Sequence, residues 1–272
     1  MASNLLAGGH ELTVYNRTAS KGDALIAKGA VRAATPRQAA AGAQVLFTML
    51  AAPDAVESCV AGKNGFLQVM ESHSIWIDCS TVNPSFAKRM AEKARRRGVR
   101  YVDAPVAGSK VPAEHGELTF LVGAEEEEIT DVRPLLDLMG KRIIYGGEVG
   151  KGSSLKMVIN LLLGQAAVAF SEAMALGQAL GIPQTLLLDT IIGGPATAPF
   201  ITSKRKKVES GRFDAEFPLR HMHKDLMLAS DSAQESGAIL LLGNVAREAF
   251  SLAVKNGMGD EDFSAIYKLY NS

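Results

Sequence analysis

Cysteine is scarce in this sequence, with only Cys59 and Cys79 among 272 residues. Two cysteines build no disulfide framework, and no CxxC pair suggests structural zinc, so a reducing compartment fits best. Neither sign of charge is in surplus, because Lys plus Arg and Asp plus Glu both total 29. That balance argues against attachment to nucleic acid or membranes by bulk electrostatics. A basic leader followed by a long apolar stretch is also lacking, since Met1 to Leu6 has neither feature. The longest apolar run, Met157 to Phe170, contains Asn160 and Gln165 and stops at Ser171-Glu172. It is too short and too polar for a bilayer span and reads as a buried helix. These absences lead to the expectation of a soluble, cytoplasmic protein that binds no nucleic acid and no membrane.

What is present is ordinary globular composition, 47% hydrophobic and 21% charged, which excludes disorder, collagen and coiled coil. Up to about residue 148, short β-type runs alternate with helical stretches. The runs are Leu12 to Tyr15, Gln44 to Leu50, Ile75 to Ile77, Tyr101-Val102 and Leu118 to Val122. Between them lie Lys21 to Lys28, Pro36 to Ala43 and Pro84 to Arg97, and Glu125 to Glu128 starts a helical stretch ending near Gly140. Such alternation predicts a mostly parallel sheet covered on both faces. After Gly150-Lys151-Gly152 the β signal fades. Ser153 to Gly181 reads as one long helix, followed by helices over Gln184 to Ile192, Lys224 to Glu235, Leu240 to Lys255 and Asp260 to Tyr270. The prediction is an α/β domain over 1–149 and an all-α domain over 150–272.

An α/β domain at the start of a chain prompts a search for a GxGxxG turn after the first strand, and none is present. Gly8-Gly9 precedes Leu12 to Tyr15 and reads as a helix-to-strand turn. That run leads into Asn16-Arg17-Thr18, where an arginine suits a 2′-phosphate. An arginine after a strand is more often a solvated surface residue, so further support is needed. Lys156 and Asn160 provide it: spaced i,i+4, they share a helix face with Gly164 and Ala167. Each alone would be a solvated lysine or a satisfied core asparagine; together, with small residues behind them, they suggest a polar pocket wall. Asp103 to Lys110 follows a strand, and its Gly108-Ser109 turn can offer backbone N–H groups and a hydroxyl to a carboxylate, or be a plain turn. His221 and His223, two apart, make poor joint metal ligands, and no carboxylate or cysteine at ligand spacing completes a site. Lys204 to Lys207 reads as a solvated helix face.

The segments Val14-Tyr15-Asn16-Arg17-Thr18, Asp78-Cys79-Ser80-Thr81-Val82, Asp103 to Gly116, Gly150 to Asn160, Phe217 to Asp225 and Gly259 to Ala265 occur in an order that resembles the β-hydroxyacid dehydrogenase family. Gly108-Ser109-Lys110 followed by Pro112-Ala113-Glu114 is most similar to its glyoxylate/succinic semialdehyde reductase branch. The resemblance implies a Rossmann-type domain that binds NADP, then a helical domain like the C-terminal part of 6-phosphogluconate dehydrogenase, for substrate binding and dimerisation. It implies that Lys156 is the catalytic lysine and Asn160 its substrate-positioning neighbour. Gly108, Ser109 and Lys224 would bind substrate, Asn16, Arg17 and Thr18 would bind the cofactor's 2′-phosphate end, and Leu50, Thr81 and Lys224 would line the cofactor side. Ala107 stands where the family often has serine, which removes a hydroxyl but keeps the backbone N–H.

The implied reaction is NADPH-dependent reduction of small carboxylate-bearing aldehydes, glyoxylate to glycolate or succinic semialdehyde to 4-hydroxybutyrate. The implied assembly is a homo-oligomer, dimer or tetramer. The alternatives are NAD-dependent 3-hydroxyisobutyrate-type oxidation, against which Arg17 leans, and a non-catalytic, truncated or scaffold member. The family's first strand and glycine turn would precede Met1, so a gap is expected in the strand order.

Overall fold

The computed structural model describes residues 1–271. The chain divides into two compact units, Met1–Lys156 and Met157 onward. The first unit opens with α1 (Ala2–Ala7), β1 (Thr13–Val14), α2 (Asp23–Ile26), β2 (Val31–Arg32), α3 (Pro36–Ala40), β3 (Val45–Thr48) and α4 (Pro53–Val60). It continues through β4 (Ile75–Asp78), α5 (Pro84–Arg95), β5 (Arg100–Asp103), β6 (Val106–Ala107), α6 (Lys110–His115), β7 (Leu118–Val122), α7 (Arg133–Asp137) and β8 (Gly140–Tyr145). Helix α8 (Lys151–Ala179) follows. Beyond it the elements among the described residues of the second unit are all helical: α9 (Gln184–Ile191), α10 (Ile201–Ser210), α11 (Leu219–Ser236), α12 (Leu241–Ala253) and α13 (Tyr267–Tyr270), with short 3-10 and π turns before the last. The fold is Rossmann-type α/β followed by all-α, as the strand and helix periodicities predict.

Strands β3, β4 and β5 form a parallel ladder in register, Thr48 beside Asp78 and Asp78 beside Asp103. Every residue of β4 is buried, and successive side chains serve opposite faces. Ile75 and Ile77 pack with Val102, Phe120 and Leu136 on one face, whereas Trp76 packs with Phe66, Phe86 and Met90 on the other. This explains the continuous apolar run: a parallel strand covered on both faces has no solvent side to mark with polar residues. Strands β1 and β2 pair with each other as a separate parallel ribbon, apart from the β3-β4-β5 ladder. A third sheet runs β6-β7-β8, and Asp103 bridges to Gly123 beside it.

Three strands are absent from the sequence prediction. Strands β2 and β6 are two residues each, too short for a period to register, and β8 carries Lys141 and Arg142. The helix predicted from Glu125 to near Gly140 is instead a 3-10 turn, Glu126–Ile129, then α7, with β8 starting at Gly140. Helices α4 and α6 were likewise not predicted, and the helix expected from Asp260 starts only at Phe263, as a 3-10 turn. In the second unit one face of α8 buries Ala167, Val168, Phe170 and Met174 against Leu188, Leu219, Met222 and Phe250. Lys204 to Lys207 departs from the solvated face expected of it. Lys204 is buried, its Nζ 3.1 Å from both Asp262 Oδ1 and Glu216 Oε2, while Arg205 pairs with Asp189 and Lys207 with Glu216. Three of the four are tied to acidic residues that fold back onto the run, and Lys206 is exposed, as the solvated-face reading expects.

Candidate active site

Apart from Lys224, which lies on α11, the residues assigned to the cofactor lie just beyond the C-terminal ends of parallel strands, the place where open α/β sheets bind ligands. Asn16, Arg17 and Thr18 follow β1 and are exposed; the Asn16 side chain accepts from the Thr18 N–H at 2.9 Å, which fixes the turn. Leu50 follows β3 and Thr81 follows β4. The two loops are tied together because Ser80 Oγ accepts from the Leu50 N–H at 2.9 Å. Gly108 and Ser109 follow β5 and β6. Gly108 has φ 126°, and a Cβ there would crowd Leu118 and Pro112, so the tight turn that aims the following N–H groups requires glycine. Ser109 is the N-cap of α6 and spends no side-chain hydrogen bond on that cap.

Beneath these loops lies a buried polar layer that the sequence did not reveal as one. Asp78 Oδ1 accepts from Thr48 Oγ1 at 2.8 Å and from the Ser80 N–H at 3.0 Å, and Thr48 Oγ1 in turn accepts from Trp76 Nε1 at 2.8 Å. Burial raises the Asp78 carboxyl to about 6 against the pull of these hydrogen bonds. On the neighbouring strand, Asp103 accepts from the Gly150 and Ser153 N–H groups, each at 2.7 Å. Burial raises its carboxyl as well, while those two N–H groups oppose the shift. Asp103 thereby caps the start of α8, the helix that carries Lys156 in its second turn. The cap is remote in sequence, so no local cap motif could show it.

In the second unit, Asn160 and Lys224 meet on one carboxylate. Asn160 is buried, and its Nδ2 donates to Asp225 Oδ2 at 2.6 Å; Lys224 Nζ lies 2.6 Å from Asp225 Oδ1. Gly164, the next small residue on the Asn160 face, packs under Leu226. The partner that a buried asparagine demands is thus Asp225, a residue assigned no role from sequence. The available signal was its position beside Lys224 in a helix whose neighbours are apolar. The amide is hydrogen-bonded to one oxygen of the buried carboxylate, and the ammonium lies beside the other as an ion pair.

Polar groups thus gather at the strand ends of the parallel sheet, and in the helical unit half-buried Lys224 joins buried Asn160 and Asp225. Residues 1–147 match the family described as the NAD binding domain of 6-phosphogluconate dehydrogenase. Residues 150–270 match the one described as the NAD-binding of NADP-dependent 3-hydroxyisobutyrate dehydrogenase. Glyoxylate/succinic semialdehyde reductase 2, chloroplastic, of Arabidopsis thaliana is 34% identical over 98% of this chain and 74% of its own length. Glyoxylate/succinic semialdehyde reductase 1 of the same plant is 35% identical over 98% and 92%. The structure of Mycobacterium tuberculosis 3-hydroxyisobutyrate dehydrogenase with L-serine superposes with a TM-score of 0.88 at 27% identity, over all of this chain and 94% of the other. The chain belongs to the β-hydroxyacid dehydrogenase family of oxidoreductases, with NAD(P)-binding domains.

Proposed function

We propose that this protein is an NADPH-dependent reductase of small carboxylate-bearing aldehydes, with glyoxylate and succinic semialdehyde as its first candidate substrates. The observation that carries the reading is Lys156 on a helix whose start is held by buried Asp103, one turn before an Asn160 fixed by Asp225. In this reading residues 1–149 bind the cofactor and 150–272 serve the substrate. Arg17, exposed at the end of β1 with no carboxylate partner among the described residues, suits a ribose 2′-phosphate, which favours NADPH over NADH. Asn16 and Thr18 shape that turn, and Leu50 and Thr81 line the cofactor side. When bound, NADPH supplies the hydride that the carbonyl carbon accepts. Gly108 and Ser109 hold the substrate carboxylate by backbone N–H and hydroxyl. The Lys156 ammonium stabilises the charge that grows on the carbonyl oxygen and donates the proton that completes the alcohol. Asn160 and Lys224 position the substrate. The two similar reductases of Arabidopsis support the substrate class.

Binding of NADPH and NADH to the full chain, followed by nucleotide fluorescence, tests the first half of the proposal. NADPH should bind more tightly than NADH, and Arg17→Ala should abolish that preference. Turnover of glyoxylate tests the second half: Lys156→Ala should lower kcat by about 100- to 10,000-fold with nucleotide binding intact. A folded chain that binds neither nucleotide, or full turnover by the Lys156 variant, would overturn it.

A further inference from the structure

Thr48, Asp78 and Asp103 form a row across three adjacent strands, in register at their C-terminal ends. Burial stops there within one residue, since Thr48 is 7% exposed and Met49 57%. The row is thus the last layer of core beneath the loops that follow β3 and β4. Its centre is Asp78, and the donors around it can be ordered. Trp76 Nε1 and the Leu50 N–H can only donate, so Thr48 Oγ1 and Ser80 Oγ both accept, and each keeps its own proton to give. Both protons go to the Asp78 carboxylate, which also accepts from the Ser80 N–H. Two chains of bonds therefore end on one buried acid. The chain from Trp76 through Thr48 lies in the core, whereas the chain from Leu50 through Ser80 joins the two loops.

The choice of an acid at this point has a physical reason. A neutral side chain would be easier to bury, yet no neutral one accepts as much. A carboxylate offers about four acceptor sites, and its hydrogen bonds are about twice as strong as those between neutral groups. Asp78 uses that capacity: the Ser80 and Thr48 donors converge on it, and the Tyr101 hydroxyl faces its second oxygen at 3.5 Å. Backbone pairing leads up to the same place. The Cys79 N–H donates to the Thr48 carbonyl and the Ala104 N–H to the Asp78 carbonyl, each at 2.8 Å. Past the end of the ladder, the bond from Leu50 to Ser80 carries the tie onward into the loops. We infer that Asp78 is a positioning residue for the nucleotide: through Ser80 it holds the loops after β3 and β4 at the spacing in which Leu50 and Thr81 line the cofactor side. The inference rests on the reading that those two residues line it. Being buried, Asp78 acts through Ser80 and not by contact.

The test compares the two sides of the carboxylate. Ser80→Ala removes the acceptor of the Leu50 N–H and leaves Asp78 its bond from Thr48. In the nucleotide-free protein, hydrogen exchange at the Leu50 amide should then quicken by about tenfold. With nucleotide, the NADPH dissociation constant read by fluorescence should rise by about tenfold as well. Asp78→Asn keeps an oxygen but not the charge, and should fall between wild type and Ser80→Ala in both readings. Tyr101→Phe removes the contact on the far oxygen, away from the loops, and should leave both readings within about twofold of wild type whatever it does to the melting temperature. A Ser80→Ala protein with wild-type NADPH affinity or wild-type exchange at Leu50 would overturn the inference. So would a Tyr101→Phe protein that weakens NADPH as much as Ser80→Ala, because the acid would then serve stability alone. A folded wild-type chain that binds no nucleotide would overturn the reading beneath the inference, and the inference with it.

Discussion

The two units bury carboxylates in opposite ways. In the first, Asp78 and Asp103 sit on adjacent strands with no lysine or arginine paired to them among the described residues, satisfied by hydroxyls and backbone N–H groups. In the second, Asp262 holds the ammonium of buried Lys204 while accepting from Ser264 and from the backbone of Glu216 and Phe217, and Asp225 holds that of Lys224. The consequence differs in sign. Burial drives Asp78 up to about 6, whereas at Asp262 burial is outweighed by Ser264 and the Lys204 charge, and its carboxyl falls below the usual range. A buried acid is a liability or a tie depending on what faces it.

The largest effect that would sharpen this contrast is expected at Lys204. Lys204→Ala strands Asp262 without its cation and should cost about 3–5 kcal/mol in denaturant unfolding. A cost below about 1 kcal/mol would mean the ion pair is not a tie. Next is Asp78→Asn, which keeps an oxygen for Thr48 and Ser80 and removes the charge. Because the folded carboxyl is raised, the native state binds its proton more tightly than the unfolded chain, so wild-type stability falls as pH rises from about 4 through about 6. At pH 7 the variant should therefore be more stable, by up to about 3 kcal/mol, with the difference vanishing near pH 4. Thermal melts across that range check it, and an unchanged slope would break the contrast from the first unit's side. The Asp262 contribution runs the other way, present above the ordinary carboxylate range and lost on acidification below it. The smallest effect is expected from Asp225→Ala, about 1–3 kcal/mol for leaving the buried Asn160 amide unpaired. If Asn160 serves to position substrate, KM should rise more than stability alone explains.

The same contrast shows what a sequence can carry. The class change near residue 150 was legible because short β-type runs between helical stretches give way to helical patterns alone, and Leu118 to Val122 is a strand with the bounds predicted. Lys156 and Asn160 were legible because both lie on one helix. Asp225, Asp103 and Lys204 were not, since each acts through a partner 50 or more residues away. Tertiary pairing has no period, so Lys204 looked like any other member of a basic run. Strand β8 was missed for a related reason: Lys141 and Arg142 are exposed on an edge strand, and their charge, with a register shift that leaves Lys141 out of the ladder to β7, hid it.

The start of α8 has one more consequence. Helix ends ordinarily fray, and their first amides exchange with solvent hydrogen soonest. Here the Gly150 and Ser153 amides are bound to a buried carboxylate, and Gly152 sits so close to the Leu121 carbonyl that even an alanine methyl would overlap it. This terminus is an anchored origin, and breathing of the helix should travel inward from its far end. Deuterium uptake would then be slowest where most helices are loosest, and position 152 would tolerate no side chain at all.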